Sequence, residues 1–364
     1  MRILKSYLSK EWFILFLLSL VIISFVLVIS NIVKLVEMVI TKGVDAGVVL
    51  KLFFYLMPSL LVFSIPISIL TSTLLTFGRM SYDNEITAIR SSGISLYPFL
   101  VLLLMIGLFF SFLCLYFNDS LIPRAHYRMR TILQEIGIKK PTAYLEEKTF
   151  IKAFRDHIMF MYKIRGNYVE DIRIYQPQDN KPTRTITAQK GEFISIPEKN
   201  AIKLVLKNGS ADEPSFDNPT AFYKLNFKRY QLLLQLDSEK TGKKLDKKVS
   251  DMTIKELKSE IKTMKMLQID ERPLLVGLYR KYSLAFSSLI FILIGVPLAI
   301  RVKRRERSLG FALSLGICLL YYLLMALGES LALRNKLVPF LGVWLPNILF
   351  FILGLFLTYK ILEE

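Results

Sequence analysis

The sequence predicts an α-helical membrane protein with six transmembrane helices, arranged three and three around one inserted β domain. Three observations predict this class. Apolar residues gather in six long blocks, charged residues lie mainly between the blocks, and a polar stretch at residues 119–272 separates the third block from the fourth. A helix that crosses roughly 30 Å of hydrocarbon needs about 20 apolar residues, and each block is near that length.

The six blocks are read as helices because only helices and closed barrels satisfy their backbone in lipid, and barrel strands alternate in polarity. The first block follows basic residues and so resembles a signal peptide, but its apolar run exceeds the roughly 7–15 residues of a signal h-region. We therefore expect it to be a retained helix. The predicted spans are residues 12–33, 52–77, 96–117, 282–300, 309–333 and 337–359.

The short loops give the orientation, because basic residues accumulate on the cytoplasmic side. With a cytoplasmic N-terminus, eleven basic residues are cytoplasmic: Arg2, Lys5, Lys10, Arg79, Arg90, Arg301, Lys303, Arg304, Arg305, Arg307 and Lys360. The short outer loops then hold four: Lys42, Lys51, Arg334 and Lys336. We expect both termini in the cytoplasm and residues 119–272 outside it, since long domains translocate largely regardless of charge.

The inserted segment reads as a β domain. Eight short runs rich in β-branched and aromatic residues follow one another, separated by turn signals that include Asn208-Gly209. Such a pattern predicts a β sandwich or jelly roll. The predicted domains are residues 1–118 with three spans, 119–272 with the β domain and flanking helices, and 273–364 with three spans.

Two flanking features complete this segment. Residues 238–250 are rich in lysine and are interpreted as a linker. Residues 251–267 place apolar side chains at helical spacing, which predicts an amphipathic helix leading back to the membrane.

A polar loop at about 81–92 joins the second and third spans on the predicted cytoplasmic side. Asp83 or Asn84 is positioned to cap a short helix over residues 85–90, and the Ser-Ser-Gly sequence at 91–93 stops it. Ile86 and Ile89 fall on one face of that helix. An acidic and apolar surface of this kind is suited to docking a cytoplasmic partner.

Charged residues at the ends of spans are the other candidate sites, because charge is costly in lipid. Lys34 and Glu37 lie at the outer end of the first span, and Arg280 with Lys281 precedes the fourth. Two interpretations of Lys34 stay open. It forms an ion pair with Glu37 at the membrane interface, or it belongs to a positive site for an anionic lipid headgroup. Glu329 lies near the outer end of the fifth span, where interfacial solvation is the simpler interpretation.

Several function classes are disfavoured. No nucleotide-binding or catalytic motif is found, and His126 and His157 stand apart. Cys114 and Cys318 fall inside predicted spans and are read as core residues without a disulfide, metal or cofactor. The net charge is +18 for the whole chain, and residues 119–272 carry about +9 of it, from 30 basic and 21 acidic residues. This mixture does not favour nucleic-acid binding. We expect no intrinsic enzyme activity.

The chain resembles the LptF/LptG permeases, also called the YjgP/YjgQ family, over essentially its whole length. The most specific stretch is EITAIRSSG at residues 85–93, which is similar to the coupling-helix motif of the family. The IPISIL run at 65–70, the GVPLAI run at 295–300 and the M-T-x-x-E-L sequence at 252–257 occur in the same order as in the family.

The resemblance implies the transmembrane subunit of an ABC transporter in the inner membrane of a Gram-negative bacterium. It implies a heterodimer of LptF and LptG on a dimer of the ATPase LptB. This complex extracts lipopolysaccharide and passes it through LptC to a periplasmic bridge, which the periplasmic jelly rolls join. The EIT of the loop helix favours LptF and the Lys34–Glu37 pattern favours LptG, so both paralogues stay open.

The resemblance also assigns roles to residues. Glu85 matches the acid of the coupling helix that meets the ATPase, and Ile86, Ile89 and Arg90 belong to the same motif. Lys34 matches a basic position of the first span that contacts lipid phosphates, and Arg280 is a second candidate.

Two other functions remain open at this point. One is a secondary transporter that works without an ATPase, which is expected to carry charges at mid-bilayer. The other is a membrane-anchored envelope scaffold, which binds through the β domain and needs no docking helix.

Overall fold

The computed structural model describes residues 2–40, 43–139, 150–154, 157–165, 168–178, 181–196, 201–214, 222–235, 247–301 and 307–363. Within these ranges the chain forms two compact units, which are described separately. One unit comprises Met1–Ile32, Phe54–Tyr127 and Lys247–Glu364, and the other comprises Val33–Phe53 and Arg128–Asp246.

Six helices in the described ranges are long and apolar enough to cross a membrane, which confirms the predicted class. They are α1 (Arg2–Ile40), α2 (Ala46–Tyr82), α4 (Tyr97–Tyr116), α7 (Arg272–Arg301), α8 (Arg307–Leu333) and α9 (Pro339–Glu363). A π-helical turn at Phe117–Leu121 connects α4 to α5 (Ile122–Lys139). Most of these helices extend beyond the predicted apolar blocks, because polar residues at the ends continue the backbone hydrogen bonding outside the hydrocarbon.

Helix α7 forms the centre of the helical unit. In its most apolar window 78% of the residues are buried, against 22–33% in the other five candidate spans. Glycines bring its neighbours close, since a Cβ on Gly107 of α4 would lie 2.6 Å from Cδ1 of Ile292. A Cβ on Gly354 of α9 would lie 3.0 Å from Cγ of Leu293. The core of this unit therefore depends on small residues facing α7.

The predicted β domain is confirmed as one antiparallel sheet, with six described strands hydrogen-bonded in chain order. The strands are β1 (Phe150–Phe154), β2 (His157–Arg165), β3 (Tyr168–Gln178), β4 (Lys181–Ile196), β5 (Ala201–Pro214) and β6 (Phe222–Gln235). The prediction of eight runs is wrong in number. The fourth and fifth runs join into β4 and the last two into β6, because their register continues without a break.

The predicted turn at Asn208-Gly209 is also wrong, since both residues lie within β5. Asn208 is left-handed with φ 53°, as is Asp171 of β3 with φ 51°. Each interrupts the alternation of the pleat, so that Val169 and Ile172 on either side of Asp171 are both buried. Gly209 is required because a Cβ there would lie 2.2 Å from the carbonyl oxygen of Thr187.

The amphipathic helix expected over residues 251–267 is present as α6 (Ile254–Met266), preceded by a 3₁₀ turn at Val249–Asp251. The T-x-x-E sequence forms a capping box. The backbone N–H of Thr253 donates to Oε2 of Glu256 over 2.8 Å, and the N–H of Glu256 donates to Oγ1 of Thr253 over 3.3 Å. Leu257 is 0% exposed and packs with Leu274 and Leu278 of α7.

Candidate functional site

The predicted loop helix is present as α3, which covers Glu85–Ser91. It follows α2 through Asn84, which is left-handed with φ 56°, a conformation that asparagine tolerates. Gly93, with φ 74°, follows its end. A helix this short needs packing to persist, and Ile86 provides it because its side chain is 5% exposed within the helical core.

The predicted side-chain cap of α3 is wrong. Asn84 holds the N-cap position, but its side chain makes no capping hydrogen bond because the left-handed backbone redirects it. The carboxylate of Asp83 lies instead 3.8 Å from Nη1 of Arg79. The position of α3 therefore depends on its contacts with neighbouring helices rather than on a side-chain cap.

Arg79, in the last turn of α2, joins three elements through one guanidinium. Its Nη2 donates to Oη of Tyr7 over 2.7 Å and to Oε2 of Glu11 over 2.5 Å, both on α1. The same nitrogen lies 3.3 Å from Oε1 of Glu85, the first residue of α3. Glu85 is 31% exposed at its side chain, so solvent still reaches the carboxylate.

The other motif residues of α3 face this chain as well as solvent. Nη2 of Arg90 donates to the carbonyl oxygen of Ile361 in α9 over 2.7 Å. Ile86 and Ile89 pack on the helical core, so they attach α3 to its own chain. Thr87 and Ala88 are exposed. The exposed surface of α3 therefore includes Glu85, Thr87, Ala88 and Ser91, with Asp83 beside them.

A second polar cluster lies at the opposite end of α7. Lys281 is 8% exposed, and its Nζ donates to the carbonyl oxygens of Asn118 over 2.7 Å and of Met252 over 2.6 Å. Oδ1 of Asp119, in the π-helical turn, accepts from the backbone N–H of Ile254 over 2.6 Å. The cluster thus connects the third span, the start of α6 and α7.

The two predicted phosphate ligands belong to separate compact units and are described singly. Lys34 lies near the end of α1 with an exposed side chain, and it forms no ion pair with any described residue. Arg280 of α7 is half exposed, and its Nε lies 3.4 Å from Oε1 of Glu329, whose side chain is 18% exposed.

The interior of the spans is polar without being charged. Oη of Tyr321 donates to Oδ1 of Asn347 over 2.8 Å, and Nδ2 of Asn347 donates to Oγ of Ser283 over 3.0 Å. Nε1 of Trp12 donates to Oγ1 of Thr73 over 3.0 Å. Among the described residues, Lys281 and Asp251 are the buried charged side chains, and both lie at the α6 end.

Sequence reasoning missed Arg79 as the partner of Glu85, and Tyr7 and Glu11 as further partners of Arg79. It also gave Lys281 no separate role. Arg79 counted only toward orientation. The available signal was a charged residue near the end of a predicted span. That signal does not identify the partner, because the contacts join distant parts of the chain.

Six long apolar helices, an inserted antiparallel sheet and polar clusters at the helix ends define a multi-pass membrane protein of the permease type. The model of the family described as lipopolysaccharide export system permease LptF/LptG matches residues 6–360. The chain therefore belongs to the LptF/LptG family, has a role in lipopolysaccharide export and is a multi-pass protein of the inner membrane. As a permease it is a transporter component rather than an enzyme.

Individual relatives agree with this assignment. The lipopolysaccharide export system permease protein LptF of Escherichia coli K12 is 20% identical over 363 residues, covering 98% of this chain and 93% of the relative. LptF of Shigella flexneri matches to the same extent. An uncharacterized protein of Rickettsia prowazekii, RP871, is 23% identical over 232 residues, which span 63% of each chain.

Proposed function

We propose that this chain is the transmembrane subunit of an ABC transporter that extracts lipopolysaccharide from the inner membrane and passes it to a periplasmic bridge. The observation that carries the proposal is α3, a short helix attached to its own chain through Ile86, with Glu85 still reached by solvent. A helix packed in this way can be displaced by a bound partner and can transmit that displacement to the spans as a rigid-body movement.

The energetics require such a partner. Each acyl CH₂ that leaves the bilayer costs about 0.8 kcal/mol, so a chain of ten methylenes costs about 8 kcal/mol, and lipopolysaccharide has several chains. ATP hydrolysis in an LptB dimer bound at α3 would supply this work. A paralogous permease, LptF or LptG, completes the membrane part, and LptC with the periplasmic bridge receives the lipid from the β domain.

The orientation belongs to the same proposal. The excess of basic residues on the short loops beside α3 favours a cytoplasmic position for α3 and for both termini. The β domain is then periplasmic, as its role in passing on the lipid requires.

The lipid phosphates are assigned to basic side chains at the outer helix ends. Lys34 is exposed, and Arg280 is half exposed with its Nε 3.4 Å from Oε1 of Glu329, so its guanidinium can donate to a phosphate. A guanidinium pairs with phosphate through two parallel hydrogen bonds, whereas an ammonium acts as a point charge. Each is proposed separately as a contact for a headgroup phosphate.

The secondary transporter and the envelope scaffold are less well supported. A secondary transporter is expected to carry charged groups near mid-bilayer. Among the described residues, Lys281 is the buried charged side chain of the candidate spans, and it lies at the α6 end of α7 rather than in the middle of the helix. A scaffold needs no element like α3.

The test is co-purification from detergent-solubilised membranes. The unmutated chain is expected to retain an ATPase, and Glu85→Ala and Glu85→Lys are expected to lose it, the lysine more completely because it repels a basic partner. Asp270→Ala is the matched control. Asp270 is an exposed acid that precedes the first residue of α7, at the end of that helix away from α3. If no ATPase accompanies the unmutated chain, the proposal fails.

A further inference from the structure

The coupling carboxylate of α3 does not stand alone, because Arg79 joins it to α1. Nη2 of Arg79 lies 2.7 Å from Oη of Tyr7, 2.5 Å from Oε2 of Glu11 and 3.3 Å from Oε1 of Glu85. One nitrogen therefore contacts two residues of α1 and one of α3, while its own residue belongs to α2.

The contacts differ in strength, and the difference gives each a role. The short contacts to Tyr7 and Glu11 fix the guanidinium, because Glu11 is only 19% exposed and charge-assisted hydrogen bonds are strong when shielded from solvent. The longer contact reaches Glu85, which is 31% exposed. An ion pair that water reaches is weak, so Glu85 is oriented by Arg79 without being held permanently.

The local charge balance leaves Glu85 able to bind elsewhere. Three carboxylates, those of Glu11, Asp83 and Glu85, lie within 4 Å of this single guanidinium. Glu11 is the nearest of them, so Arg79 is mainly neutralised by α1. A basic group of a partner can then approach Glu85 without displacing the α1 contacts.

We propose that Arg79 is a positioning residue, which directs the Glu85 carboxylate toward the ATPase and connects a movement of α3 to α1 through Glu11 and Tyr7. This inference rests on the proposed function. The seven-residue α3 and the end of α2 are covalently adjacent, whereas α1 is reached through side chains. Without Arg79, Glu85 would sample several rotamers and a displacement of α3 would reach α1 less directly.

The test is a double-mutant cycle on the affinity of the solubilised permease complex for added LptB-type ATPase. Arg79→Gln is expected to weaken binding about fivefold in the unmutated background and to have no further effect beside Glu85→Gln. Arg79→Lys keeps the charge and is expected to restore part of the affinity. Lys10→Gln removes an exposed positive charge from the same end of α1 and is expected to leave affinity unchanged.

The outcomes separate the two proposals. If Glu85→Gln leaves ATPase affinity unchanged, the proposed function fails at its docking site. If Glu85→Gln weakens binding but Arg79→Gln does not, or acts equally in both backgrounds, the positioning role alone is overturned. If Arg79→Gln does not fold, Glu11→Gln replaces it. Without the Glu11 charge, Arg79 is left to pair with Glu85, so ATPase affinity is expected to fall. Unchanged affinity would contradict the connection to α1.

Discussion

The ammonium of Lys281 donates to the carbonyl oxygen of Asn118 over 2.7 Å, at the π-helical turn that follows α4. A π turn departs from the i→i−4 pattern of the helix, which lets a carbonyl oxygen take a partner from outside. The second bond of Lys281, to the carbonyl oxygen of Met252, adds the residue just before the α6 cap. The Lys281 side chain thus connects the start of α6 to α7 and to the end of α4.

Replacing Lys281 by methionine is expected to lower the free energy of unfolding by about 2 kcal/mol. The methionine fits the volume but leaves two carbonyl oxygens without their buried donor. The measurement is an unfolding titration in mixed micelles. Lys258→Met, at an exposed position of α6, is the control, and equal stability of both variants would contradict the role of Lys281.

The capping box of α6 is expected to weaken in acid. Partial burial opposes the shift, but hydrogen bonds from the Lys247 ammonium and the Thr253 backbone lower the pKa of Glu256 from its ordinary 4.5. A lowered folded-state pKa adds stability that is present above pH 4.5 and is lost as pH falls through the folded value. Amide exchange protection of α6, corrected for intrinsic rates, should therefore fall below pH 4.5.

The matched variant for this prediction is Glu256→Gln, which keeps an oxygen acceptor and cannot titrate in this range. Its α6 protection should be lower at neutral pH and should change less on acidification. The same acid-induced loss in both proteins would assign the effect to another group.

Substituting alanine at Gly328 is expected to separate α8 from α9. A Cβ there would lie 1.9 Å from the carbonyl oxygen of Gly342, and backbone cannot move aside as a side chain can. Overpacking of this kind costs about 1–3 kcal/mol in unfolding free energy. Gly316→Ala on the same helix meets no atom within 4 Å and should be neutral or stabilising. The prediction is wrong if the two variants unfold alike.

A photocrosslinking amino acid at Lys34 is expected to form lipopolysaccharide adducts during ATP turnover in membranes. Lys34 is exposed near the end of α1 and is the proposed contact for a lipid phosphate. The same crosslinker at Ile3, which is 87% exposed near the other end of α1, should not form them. Absence of adducts at position 34, or equal yields at both positions, would count against the headgroup site.

The helices could be predicted because about twenty apolar residues in a row have few alternatives in lipid. The strand count failed at specific residues. Asn208-Gly209 was predicted as a turn, yet both residues lie inside β5. Glycine there makes room for a neighbouring strand rather than for a turn.

The contacts of the candidate site could not be predicted, because they are not local. Arg79 and Glu11 are 68 positions apart, and Lys281 and Asn118 are 163 apart. Sequence patterns report which residues share a helix face, whereas these pairs depend on how separate helices meet. The loop helix was predicted from its acidic and apolar pattern, and the family motif then singled out Glu85 within it.

The burial of α7 limits where the lipid can leave the bilayer. A helix whose apolar window is 78% covered by its neighbours has little surface on which an acyl chain could slide. A lateral opening for the lipid must therefore be formed by the other spans, which keep most of their apolar surface exposed. In that arrangement α7 is the central helix, and the surface that an acyl chain could contact lies on the helices around it.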